Sequence, residues 1–108
     1  MGRIFTLDEA KALMPQVKAT TEPVYTLAAS LAEELSQAEE ASDEARAENL
    51  RERLQTLVQS WQQSMQDLEA EVKGLWLVDF DSGDSTLTFD LGKFVKEDVE
   101  FYWFKKKS

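Results

Sequence analysis

From Leu7 to Val72 the apolar positions of this chain recur every three or four residues, and beyond Gly74 the period shortens to two. The first pattern predicts helices and the second predicts strands. Thr6 followed three residues later by Glu9 reads as a capping box, and Asp8 and Glu9 suit the positive end of a helix dipole. Leu7, Ala10, Leu13 and Met14 follow at helical spacing, which predicts a short N-terminal helix. Ile4 and Phe5, just before the cap, are placed to form a short strand or a hydrophobic staple. Pro15 is expected to end this helix near Leu13 or to open a second one in its first turn. The second helix carries Val17, Val24, Leu27, Leu31, Leu35 and Ala38, with a kink or break expected near Thr21-Glu22 because Pro23 lies inside it.

Glu39 to Asp43 reads as a turn in which Ser42 or Asp43 caps the next helix. Leu50, Leu54, Leu57, Trp61, Met65, Leu68 and Val72 then form one stripe, predicting a helix of about 30 residues, or roughly 45 Å, that ends at Gly74. Leu75 to Phe80 reads as a strand and Asp81-Ser82-Gly83-Asp84 as a hairpin turn. In Ser85 to Leu91 the apolar Leu87, Phe89 and Leu91 alternate with Thr86, Thr88 and Asp90, until Gly92 breaks the pattern. Val99 to Phe104 reads as a third strand. The expected fold is α+β: a long antiparallel helical hairpin with a short N-terminal helix, followed by a three-stranded antiparallel β-meander. The expected organisation is one domain over residues 1–108, with the hairpin in 1–73 and the meander and a basic tail in 74–108.

Composition narrows the chemistry. The chain has 108 residues, a net charge of −9, no His and no Cys. That excludes disulfides, thiolate metal sites, a Cys nucleophile and a Ser-His-Asp triad within one chain. No cofactor is expected. Residues 33–48 carry seven acids against one base, at the predicted hairpin tip, and residues 74–104 carry seven acids against two bases. With no basic face for phosphates, nucleic acid is not an expected partner. Lys105-Lys106-Lys107 reads as a solubilising end, short of the roughly 4–8 basic residues that an anionic lipid surface calls for. Met1-Gly2-Arg3-Ile4-Phe5 has no leader-like apolar run, and no segment reaches the roughly 20 apolar residues that span a bilayer. A cytoplasmic protein with no membrane partner is expected.

Two sets of residues are candidates for function. Asp79, Asp81 and Asp90 fall on the first, third and twelfth positions of a calcium loop, but Gly83 and Asp84 occupy positions that need an oxygen ligand and a glycine. Turn chemistry accounts for the same residues. Asp79, following an apolar run, is also placed as a carboxylate of raised pKa would be. The second set is apolar. Phe101-Tyr102-Trp103-Phe104 puts aromatic rings on both faces of a strand, and Leu75-Trp76-Leu77-Val78 is apolar on both faces. A sheet covered on one side should alternate apolar and polar residues, so either the N-terminal helix or another protein is expected on the second face. Trp61 and Met65 read as core. Tyr25, Ala28, Ala29 and Ala32 widen the apolar face of the hairpin beyond what one partner helix needs. Either the sheet covers that face, or a second copy packs on it as a four-helix arrangement.

The phrase Phe5-Thr6-Leu7-Asp8-Glu9-Ala10-Lys11-Ala12-Leu13-Met14-Pro15 resembles the opening of a prokaryotic family, the domain of unknown function twenty-two hundred and three, whose members begin close to F-T-L-E-E-A-N-x-L-L-P. Leu77-Val78-Asp79-Phe80 resembles a later phrase of that family, and Phe101-Tyr102-Trp103-Phe104 stands where the family has a Tyr-Trp-His-like run. Lys11 replaces the usual Asn, Phe104 follows Trp103 where the family has His, and the family's Gly- and Arg-containing tail does not follow. The resemblance implies a charged helical hairpin followed by strands, and no assigned activity. The expected function is a small acidic interaction module, a homodimer acting through Tyr25, Trp76, Tyr102, Trp103 and Phe104. The alternative is a ligand- or divalent-metal-binding protein, with a hydrolytic role open to it, using Asp79, Asp81 and Asp90.

Overall fold

The computed structural model describes residues 3–106, so Met1, Gly2, Ser108 and the last lysine of the tail, Lys107, lie outside the described residues. The chain folds as α1 (Leu7–Glu40), α2 (Glu44–Asp67), β1 (Glu71–Gly74), β2 (Leu77–Asp81), β3 (Ser85–Asp90), α3 (Leu91–Glu97) and β4 (Tyr102–Lys106). The four strands form one antiparallel meander in the order β1-β2-β3-β4.

The capping box is present: the Glu9 N–H donates to Thr6 Oγ1 at 3.1 Å and the Thr6 N–H to Glu9 Oε1 at 2.9 Å. Phe5 is buried just ahead of it, and its N–H reaches the Asp81 carbonyl at 2.6 Å, so the chain enters α1 pinned to the end of β2. Bonds from the Thr6 N–H, from the Arg3 guanidinium and from the Thr6 hydroxyl hold the Glu9 carboxyl below its ordinary 4.5. The folded pKa is the lower one, so this contribution is present above about pH 4.5 and is lost as pH falls through the folded value. Melting curves of the wild type and Glu9→Gln should differ near neutral pH and converge on acidification. Thr6→Ala should cost about 1 kcal/mol.

Instead of a short N-terminal helix and a second one, there is a single helix of 34 residues that passes through both prolines. Pro15 and Pro23 point outward, while Ala10, Met14, Val17, Thr21, Ala28, Leu31 and Ala38 run unbroken down the buried side. Each proline lacks the N–H that would donate four residues back, so the carbonyls of Lys11 and Ala19 lose that partner, and both of those residues are exposed to water. Continuous packing on the other side of the helix outweighs that local cost.

α2 ends at Asp67 rather than running through Val72 to Gly74. Glu69 takes a left-handed conformation (φ 62°), and two interlocking bonds close the end: Glu69 N–H to Gln66 O at 2.9 Å and Ala70 N–H to Met65 O at 3.0 Å. The same device ends α1, with Ser42 at φ 55°, and there Asp43 also caps α2 by accepting from the Arg46 N–H at 3.2 Å. Val72, the last position of the predicted helical stripe, is in β1, so the sheet has four strands, not three, and the helical part stops short of residue 73.

Gly92 does not end the ordered structure. Asp90 accepts from the Lys93 N–H at 3.1 Å and opens α3, which returns Phe94 to the core. The third predicted strand is displaced as well: it begins at Tyr102 and continues to Lys106.

The helices pack on one sheet face. Val78, Phe80, Leu87 and Phe89 meet Phe5, Met14, Val17, Trp61 and Met65 there, and a smaller seam of Leu31, Ala38, Ala47 and Leu50 joins the two helices farther out. The molecule measures 49 × 28 × 23 Å, and its far end is fastened by Arg46–Glu34 at 3.4 Å and Arg51–Glu39 at 3.0 Å.

Candidate interaction surfaces

The apolar surplus on the hairpin collects into one groove. Ala28, Ala29 and Ala32 of α1 form its floor, Leu54 and Val58 of α2 one wall, and Leu75 at the β1–β2 turn one end, around a volume of about 310 Å³. Tyr25 and Trp76 close the base, with ring centroids 5.3 Å apart. Trp76 holds its place because the turn residue sits at φ 64° and its ring meets that of Trp61 at 5.0 Å. Trp61 is fixed in turn by its indole N–H, which donates to Thr21 Oγ1 at 2.9 Å. From the sheet side only the turn residues Leu75 and Trp76 line this groove, and Leu75 remains 58% exposed.

This part of the hairpin is free of charge. In a chain that is 31% charged, residues 23–32 and 54–66 contain no Asp, Glu, Lys or Arg. The opposite face of the hairpin differs: its groove, about 550 Å³, joins Leu27, Leu31 and Leu57 to Glu52 and Arg53.

The second surface is β4. Tyr102, Trp103 and Phe104 are 36%, 47% and 53% exposed. Tyr102 and Phe104 lie opposite Phe89 and Leu87, on the helix-packed face, and Trp103 lies opposite Thr88 on the other. A row of rings from Phe5 through Phe80 and Phe89 to Tyr102, with centroids 4.9, 5.7 and 5.3 Å apart, carries the core out to this edge. No N-terminal helix covers the second face, because α1 packs entirely on the first. The unbroken apolar run Leu75 to Val78 has another cause: Leu75 and Trp76 form the turn, and only Leu77 and Val78 belong to β2.

The three acids each support the fold. Asp79 is 8% exposed and accepts from Thr88 Oγ1 at 2.7 Å. Asp81 accepts from the Gly83 N–H at 2.9 Å, and Asp90 caps α3. Among the described residues, no group of three or more His, Cys, Asp or Glu is placed to hold a metal ion. Nor is any described helix long and apolar enough to cross a membrane.

The structure brings Tyr25 and Trp76 together and leaves Tyr102, Trp103 and Phe104 on a separate edge. Leu54, Val58 and Leu75 are additions of the fold to the first surface. Leu54 belongs to the α2 stripe and Leu75 to the apolar run before β2, while the signal for Val58 is its place in the charge-free stretch 54–66.

A family model described as an uncharacterized conserved protein (DUF2203) matches residues 3–89. The match takes in α1, α2 and the first three strands up to Phe89, and it ends before α3 and β4. No curated protein and no solved structure matches the chain.

Proposed function

Because the chain belongs to the DUF2203 family of uncharacterised conserved proteins, whose description names no activity, we propose from its surfaces that it is a homodimeric protein-interaction module. The observation that carries this reading is the charge-free apolar groove of the proximal hairpin. Two chains of net charge −9 repel one another unless the contact itself is neutral. A strongly charged partner would select a charged face, whereas a second copy of an acidic chain selects a neutral one. In this arrangement the Leu54–Val58 wall of one chain would rest on the alanine floor of its copy, and the two-fold repeat of that contact would build a four-helix bundle. The acidic outer half of the hairpin then stays in water, held by its cross-helix ion pairs. The sheet lies at the other end, free to engage a further protein through β4.

Absence of native cysteine makes a thiol footprint clean. Ala29→Cys places a thiol in the neutral groove and Thr56→Cys one on the opposite face. At high protein concentration the thiol at 29 should react slowly and recover on dilution, while the thiol at 56 reacts fast throughout. Equal and concentration-independent rates at both positions would refute the reading.

A further inference from the structure

We infer that β4 is a docking edge for an extended acidic segment of another protein, which adds to the sheet as a fifth strand. The inference rests on the reading of the chain as an interaction module and names the partner of its second surface.

Backbone geometry supplies the first half of the case. The Asp90 N–H donates to the Phe101 carbonyl at 2.9 Å, in register with the β3–β4 pairs. Hydrogen-bonded and non-hydrogen-bonded pairs alternate along an antiparallel ladder. Trp103 and Lys105 therefore turn their backbone groups toward β3, while Tyr102, Phe104 and Lys106 turn theirs outward. Among the described residues no other backbone group meets these outward ones. All five residues of β4 are exposed. An edge of this kind is a template for another strand.

Side chains supply the second half. Within a chain of net charge −9, lysines gather here: Lys105 and Lys106 on the strand, Lys11 with its ammonium 5.6 Å from the Tyr102 ring, and Lys93 5.1 Å from the Phe101 ring. Glu100 lies 4.0 Å from Lys11, and the Asp90 carboxylate is taken up by the Lys93 N–H at 3.1 Å. Lysine on an edge also discourages aggregation, but three exposed aromatic side chains beside it do the opposite. Together they select a strand that brings its own negative charge and apolar contact. A nucleic-acid strand lacks the repeating amide pattern that the outward groups of Tyr102, Phe104 and Lys106 would pair with.

The test uses the full chain and three fluorescent octapeptides: alternating Glu and Val, alternating Lys and Val, and the Glu-Val peptide N-methylated at every second residue. Anisotropy should show binding of the first, at least tenfold weaker binding of the other two, and weakening by added salt. Phe104→Pro removes one outward N–H, and Lys105→Glu with Lys106→Glu reverses the charge without touching the backbone. Each should reduce binding tenfold or more and leave the mass of the particle unchanged, so loss of docking is separable from loss of the dimer. Equal binding of all three peptides, or unaltered binding to both variants, overturns the inference. So does tighter binding of a single-stranded oligonucleotide, or a mass that falls to the monomer in the edge variants.

Discussion

Ala29→Glu is expected to convert the particle to a monomer while leaving the chain folded. Ala29 is an exposed position in the middle of α1, where replacing alanine by glutamate changes helix propensity by only a few tenths of a kcal/mol. In the isolated chain the new carboxylate stands in water beside Ala28 and Ala32. In the proposed dimer it would lie in an apolar contact, and the two-fold axis would place a second one in the same interface. Burying an unpaired charge costs at least several kcal/mol, and each 1.4 kcal/mol is about tenfold in dissociation constant, so the affinity should fall by a hundredfold or more. Size exclusion with light scattering reads the mass, and circular dichroism at low concentration reads the fold. Thr56→Glu, on the opposite face, serves as the control and should leave the mass unchanged.

Trp61→Ala is expected to produce the largest loss of stability, about 3–5 kcal/mol against the 5–15 kcal/mol of an ordinary domain. Trp61 is 1% exposed and sits where α1, α2 and the β1–β2 turn converge. Its removal opens a cavity under Trp76 and frees the Thr21 hydroxyl. Thr21→Val isolates the polar part of this arrangement: the indole N–H stays buried without an acceptor, at a cost of about 1–3 kcal/mol. Urea unfolding at a fixed low concentration measures both variants, because the proposed dimer would add to apparent stability as concentration rises. A loss below about 1 kcal/mol for Trp61→Ala would mean that the hairpin and sheet are held together elsewhere.

Much of this fold is legible in the sequence, and the failures have identifiable causes. The capping box at Thr6, the stripes on α1 and α2, the cap at Asp43 and the β2–β3 hairpin all follow from spacing and turn chemistry. The prolines mislead because the local cost of Pro15 and Pro23 is visible in sequence, whereas the packing that offsets it arises on the far side of the helix. The end of α2 is hidden because Glu69 adopts the left-handed conformation that one looks for at glycine. β1 is hidden because Val72 falls in step with the α2 stripe by coincidence. α3 is hidden because Gly92 reads as a break, although Asp90 followed by Leu91 and Phe94 has the form of a cap and a short apolar face.

The surfaces divide in the same way. Tyr25, Ala28, Ala29 and Ala32 stand out as an unpaired face from helical spacing alone. That Leu54, Val58 and Leu75 complete it depends on how two helices and a turn meet, which spacing does not encode. For β4 the sequence shows the aromatic run, but its place at the edge of the sheet, and which backbone groups it leaves outward, come from the order of the strands.

The central claim is that two copies of this chain meet across the neutral hairpin face. Sedimentation equilibrium of the wild-type chain across a dilution series tests it most directly. The account predicts a mass near twice the chain's 12.3 kDa at high micromolar concentration, falling toward one chain on dilution. A mass of one chain at every concentration would contradict it.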